Sequence, residues 1–197
     1  MNQRFIYLAS ASPRRRRLLD QIGVRYEVHP VEIDETPQPG EVPRDYVKRV
    51  AREKAVAAAA LLPQAAPVLA ADTTVVIDGR TLGKPRDHDD ALQMLGQLSD
   101  SEHEVLTAVC AIHDNEALSE LSSTRVYFRN ISHSEREHYW ASGEPADKAG
   151  AYSIQGRGAI FIERIEGSYS GVMGLPLFET ARLLGRCGID VMDKRCA

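Results

Sequence analysis

Apolar positions in this chain fall alternately into short continuous runs and into stripes at helical spacing. Phe5-Ile6-Tyr7-Leu8-Ala9 is a run of strand length. Ser10-Ala11-Ser12-Pro13 follows. Serine and proline ahead of good helix formers mark a helix start, with Ser12 able to cap and Pro13 able to take the first helical position. That helix passes through Leu18, Leu19 and Ile22 and ends at Gly23. Tyr26–Val31 reads as a second strand, and Glu32–Pro43, with four acidic residues and three prolines, as a loop. A long helix is predicted over Arg44–Leu62, where Tyr46, Val47, Val50, Ala51, Lys54 and Ala55 share one face.

Val68-Leu69-Ala70-Ala71 predicts a buried strand ending at Asp72. Thr73–Ile77 continues in extended character, and Asp78-Gly79 signals a hairpin. A helix is expected over Asp87–Leu98, and strands over Glu104–His113 and Ser122–Phe128. Ser132 and Glu135 are spaced as a capping box for a helix through Trp140. Asp147–Gly158, rich in small residues, reads as a functional loop, Ala159–Ile165 as a strand and Pro176–Leu184 as a final helix. No repeat or linker interrupts the pattern. It predicts one α/β domain over residues 1–197, a mixed twisted sheet flanked by helices.

Composition changes this picture little. The formal net charge of −4 argues against a duplex nucleic-acid binder, which needs a basic excess to neutralise phosphates. It leaves room for a small phosphate ligand met by a local basic cluster. The three cysteines, Cys110, Cys187 and Cys196, form no CxxC pair, so a reducing compartment and a cytoplasmic location are expected. The opening residues lack the layout of a signal peptide, and no apolar stretch is long enough to span a membrane.

Four constellations can carry chemistry. Ser10-Ala11-Ser12-Pro13-Arg14-Arg15 puts hydroxyls and guanidiniums where a strand gives way to a helix N-terminus, a layout that favours a polyphosphate. Asp72-Thr73-Thr74 puts a carboxylate at the expected end of a buried strand, where it can ligate Mg²⁺ or act as a general base. Glu35, Lys54 and Lys84 are scattered charges, of which Lys54 falls on a mainly apolar helix face and must snorkel or meet an anion. Asp147-Lys148-Ala149-Gly150-Ala151-Tyr152 with Gln155-Gly156 lets backbone approach a ligand, and Gln155 carries both a donor and an acceptor. Singly, each has a plainer reading: a capped helix with a solvated basic face, a turn aspartate, solvated charges, a surface loop. The histidines show no HExxH spacing, and there is no P-loop, GxGxxG or GxSxG.

Together, these segments resemble the Maf family. Leu8-Ala9-Ser10-Ala11-Ser12-Pro13-Arg14-Arg15, Ala51-Arg52-Glu53-Lys54-Ala55, Ala71-Asp72-Thr73, Lys84-Pro85, the glycine-rich segment above, and Gly167-Ser168-Tyr169 with Gly174-Leu175-Pro176 occur in the family's order over nearly the whole chain, with only Asp190–Ala197 beyond the resemblance. The resemblance implies an ITPase-like α/β fold with a cleft between two lobes, a homodimer, no stable nucleic-acid partner, and hydrolysis of nucleoside triphosphates between the α and β phosphates. It implies Asp72 as catalytic carboxylate, Glu35 as its acidic partner at a divalent metal (Mg²⁺ or Mn²⁺), and Ser10, Arg15, Lys54 and Lys84 as phosphate-binding positions. Arg14, Thr73 and Gln155 correspond to positions associated with base choice, and this combination is similar to the dTTP/UTP branch, which releases dTMP or UMP and diphosphate, standard or modified pyrimidines included. Two alternatives remain: a pyrophosphatase for 7-methyl-GTP, and a nucleic-acid-binding regulator of cell division supported by the Arg14–Arg17 run. Whether Asp72 serves as base or as metal ligand stays open.

Overall fold

The computed structural model describes residues 5–63 and 65–192. Cys196 and the opening residues Met1–Arg4 lie outside that range. The elements in chain order are β1 (Ile6–Leu8), α1 (Pro13–Gln21), β2 (Tyr26–Val28), α2 (Pro43–Ala59), β3 (Val68–Ile77), β4 (Arg80–Leu82), α3 (His88–Leu98), β5 (Glu102–His113), β6 (Glu116–Phe128), α4 (His133–Ala141), β7 (Ile162–Glu166), α5 (Tyr169–Met173) and α6 (Leu177–Arg186).

The strands form one mixed seven-stranded sheet in the order β2-β1-β3-β5-β6-β7, with β4 also paired to β3. β1 runs parallel to β2 and β3, and the remaining pairs are antiparallel. Helix α2 buries Val47, Val50, Ala51, Ala55 and Ala58, the stripe that the spacing predicts. Its small alanines bring it close to the face of the sheet carrying Tyr7, Val68, Ala70 and Val76. On the opposite face, Leu69 and Ala71 pack with α1 residues Leu18 and Leu19 and α6 residues Leu183 and Leu184.

Local chemistry explains most boundaries. Both long hairpins turn through residues with positive φ, Asp78 and Gly79 between β3 and β4, and Asp114 and Asn115 between β5 and β6, as the favoured two-residue turns require. Ser132 and Glu135 form the expected capping box on α4. Gly23, at φ 68°, follows α1.

Four expectations need correction. Asp72 does not end its strand: β3 continues unbroken to Ile77, because β5 pairs with it from Val68 to Val76. Ser12 occupies the N-cap of α1 but makes no side-chain capping bond. Strand β6 starts at Glu116, well before Ser122, because the hairpin turn imposes pairing on a stretch that mixes polar and apolar residues on both faces. The expected strand over Ala159–Ile165 begins only at Ile162, since Arg157–Phe161 turns as a 3₁₀ helix.

The segment after α4 is packed rather than splayed. Glu144 accepts hydrogen bonds from the Tyr139 hydroxyl (2.6 Å) and from the backbone N–H groups of Arg157 (2.8 Å) and Gly158 (3.1 Å). Glu144→Ala strands those donors in a partly buried site. It is expected to cost about 1–3 kcal/mol, read as a lower urea midpoint at unchanged m-value.

Candidate active site

One edge of β3 is covered in two places only. Near its start it pairs with β1 at Val68 and Leu69, and near its end with β4 at Val75–Ile77. Between them, Ala70–Thr74 have no strand neighbour on that side among the described residues. Asp72 lies in this gap, beside the carboxyl end of β1, where the chain turns through Ser10 into α1. Open α/β sheets bind ligands beyond the carboxyl ends of their parallel strands. A cleft of about 860 Å³ opens here, lined by Ser10, Arg14, Arg15, Glu35, Lys54, Asp72, Thr73 and Lys84 among others.

On the α2 side of β3, the side chain of Asp72 is almost fully buried. Lys54 reaches it from α2, with Nζ 2.9 Å from Asp72 Oδ1 and 2.9 Å from Glu35 Oε1. The helix-face lysine therefore meets two anions rather than snorkelling to water. Burial pushes the Asp72 carboxyl above its ordinary value, while Lys54 and Arg15 pull it back. The net result is a carboxylate more basic than an exposed aspartate. The acidic loop that carries Glu35 is pinned to α2 by Arg49, which bonds Glu41 at 2.6 and 2.8 Å and the Thr36 carbonyl at 3.1 Å. Hydrogen bonds from Arg49, then from the Gln38 N–H, hold the Glu41 carboxyl down at about 2. This depressed value means that the pin is fully made above the ordinary carboxylate range and is lost only as pH falls towards 2.

On the opposite face, Arg15 is anchored at every nitrogen. Its Nε donates to the Gly174 carbonyl (2.8 Å), Nη1 to Ser10 Oγ (3.0 Å) and Nη2 to Thr73 Oγ1 (3.5 Å). Ser10 Oγ also accepts the Ser12 N–H at 3.3 Å, so the hydroxyl organises the turn as well as the guanidinium. Burial lowers the pKa of Arg15, with Asp72 acting against that shift. A guanidinium held this way presents its remaining N–H groups to an anion with little further ordering cost.

Ser10, Arg14, Arg15, Glu35, Lys54, Asp72, Thr73 and Lys84 thus come together on one cleft, although they are spread from position 10 to position 84. Gln155 does not join them: it is exposed and lies just beyond the lining residues Ser153 and Ile154. Lys148 and Asp147 also line the cleft, paired to each other. Both open the glycine-rich constellation read in the sequence, where the small residues and Gln155, not these two charges, carry the expected chemistry. Thr107 is missed as well. It is fully buried behind Thr73, and its one signal is a hydroxyl inside the apolar strand Val105-Leu106-Thr107-Ala108.

Exchange of Lys54 tests the cluster directly. Lys54→Ala removes the cation shared by Asp72 and Glu35. Turnover of a triphosphate should fall about tenfold or more, as for loss of a positioned charged partner. The protein should remain folded by circular dichroism. Unfolding of the variant with normal turnover in its folded fraction would give Lys54 a purely structural role.

The family model described as "Maf-like protein" matches residues 5–187. The chain belongs to the Maf family. A relative from Methylococcus capsulatus, named dTTP/UTP pyrophosphatase, is 53% identical over 184 residues, covering 93% of this chain and 91% of the relative. A relative of the same name from Nitrosomonas europaea is 54% identical over 198 residues, covering 94% and 96%. Among solved structures, the Staphylococcus aureus Ham1 protein aligns with a TM-score of 0.44 at 18% identity, over 64% of this chain and 72% of that one. That likeness is too partial to bear on function. The Maf match spans every cleft residue named above, from Ser10 to Gly174.

Proposed function

We propose that this Maf-family chain is a nucleoside triphosphate pyrophosphatase that hydrolyses dTTP and UTP to dTMP or UMP and diphosphate. The naming of relatives more than 50% identical over nearly the whole chain supports the substrate. The structural observation that carries the chemistry is the convergence of Asp72 and Glu35 on Lys54 in a cleft walled by Arg14, Arg15 and Lys84.

The residues fit a divalent metal. Two carboxylate oxygens already sit 2.9 Å from one ammonium, so they can converge on a single cation. The described residues hold no group of three or more His, Cys, Asp or Glu placed for a metal. A hard ion of the Mg²⁺ or Mn²⁺ kind suits such a sparse set, because it binds through one or two carboxylates and completes its shell with phosphate oxygens and water. Glu35 and Asp72 would hold it, and when bound it supplies positive charge against the phosphates.

The protein's own part follows from the geometry. Arg15, fixed by Gly174, Ser10 and Thr73, and Lys84, exposed on the cleft lining, bind phosphate oxygens and stabilise charge on the departing diphosphate. Asp72, with its raised basicity, orients a water at the phosphorus and takes its proton. Lys54 holds that carboxylate in one rotamer. The free, buried thiols of Cys110 and Cys187 suit a reducing compartment, and we place the enzyme in the cytoplasm and, as the family resemblance implies, in a homodimer.

The test is a panel of dTTP, UTP, CTP, ATP, GTP and 7-methyl-GTP with Mg²⁺ or Mn²⁺, scoring monophosphate and diphosphate. dTTP and UTP should share the top, because a 5-methyl group is worth only about 1–3 kcal/mol in an apolar pocket. Faster cleavage of ATP or GTP would refute the substrate assignment, and release of inorganic phosphate in place of diphosphate would refute the reaction.

A further inference from the structure

Thr107 stands on β5 directly opposite Thr73 on β3, and it is fully buried. Its Oγ1 lies 3.0 Å from Thr73 Oγ1 and 2.8 Å from the carbonyl oxygen of Gly171. Three oxygens thus make two short contacts, and only the two hydroxyl protons can fill them. A carbonyl cannot donate, so the Thr107 proton belongs to the contact with Gly171. The other contact is then filled only if Thr73 gives its proton to Thr107. The reverse assignment would press two acceptor oxygens together at 2.8 Å with no proton between them, in a site without solvent. Arg15 Nη2, at 3.5 Å, is a donor to the same Thr73 oxygen. Thr73, partly exposed on the cleft wall, therefore has no proton left for a ligand and offers lone pairs alone.

An oxygen of that kind gains nothing from a phosphate, whose exposed atoms are acceptors too. Its surroundings agree: Thr73 points to the face of β3 opposite Asp72, where Val75, Val105, Tyr152 and Val172 make an apolar stretch of the cleft wall suited to a base. We propose that Thr107 is a positioning residue for base choice: by taking the Thr73 proton it makes Thr73 an acceptor that pairs with the N3–H of uracil or thymine and repels the N3 lone pair of cytosine. N3–H is the donor that those two bases share and cytosine lacks. The inference deepens, and rests on, the pyrimidine triphosphate reading above.

The experiment measures kcat/KM for UTP and for CTP with the wild type, Thr107→Val and Thr107→Ser. Their ratio is independent of how much of each preparation is folded, so lost stability does not obscure it. Valine keeps the shape of Thr107 but cannot accept, and the Thr73 proton turns towards the ligand. The UTP-over-CTP preference should fall about tenfold or more with valine, as for a lost hydrogen bond to base (a factor of ten per 1.4 kcal/mol), and persist with serine. A valine variant that keeps the wild-type ratio overturns the inference, as does a serine variant that loses it equally. A wild type that cleaves UTP and CTP alike overturns the role of Thr107 and leaves the pyrophosphatase reading standing. A wild type that cleaves neither removes both.

Discussion

Asp72→Asn should lower turnover of dTTP by on the order of a hundredfold or more while leaving the protein folded. Asparagine keeps the shape of the side chain and its contact with Lys54, so any loss reports the missing charge and basicity rather than a cavity. The same environment predicts the sign of the stability change. Burial raises the Asp72 carboxyl, which means that the fold works against its ionised form. A neutral amide relieves that opposition, so the variant's melting temperature should not fall. Diphosphate release and a thermal melt on one preparation suffice. More than about a tenth of wild-type turnover would remove Asp72 from the chemistry, and a variant that melts early would show its carboxylate to be structural.

Withdrawal of divalent metal should have an effect of similar size. The cations on the cleft wall, Arg14, Arg15, Lys54, Lys84 and Lys148, are nearly balanced by the carboxylates Glu32, Glu35, Asp72 and Asp147. A triphosphate therefore enters a cleft whose own charges almost cancel, and its charge must be met from elsewhere. A chelator should cut turnover by on the order of a hundredfold or more, with recovery on adding Mg²⁺ or Mn²⁺. Glu35→Gln should shift the recovery to higher metal concentration, since it removes one oxygen ligand and leaves the phosphate contacts in place. Full turnover in chelator would show that the protein's own cations are enough.

The difference between what was legible in the chain and what was not follows from range. Helix α2 could be read from its apolar stripe, and the capping box of α4 and the Asp78-Gly79 turn from neighbouring residues, because each is decided within a few positions. Asp72 could be singled out, but its setting could not. That it lies in a gap in mid-strand depends on where β1 stops and β4 starts, which only the assembled sheet reveals. Polar residues on both faces, Glu116 and Glu120 in line with Leu118, and Ser119 on the other side, hide the first half of β6, since they are tolerated where pairing to β5 decides. Lys54 was suspect as a charge on an apolar face, and the two carboxylates it meets, at 35 and 72, explain it. Thr107 could not be found, because a lone hydroxyl in a strand has meaning only through the residue across from it.

The gap along β3 has one more consequence. A bare strand edge normally invites another chain to add itself to the sheet, the first step of many aggregates. Here the open stretch, Ala70–Thr74, is bracketed by β1 and β4 and overlooked by Lys54 and Arg15. A foreign strand of ordinary length would collide with one bracket or the other and would have to push past those two anchored side chains. The protein thus leaves backbone uncovered where a small, anionic molecule can use it and a polypeptide cannot.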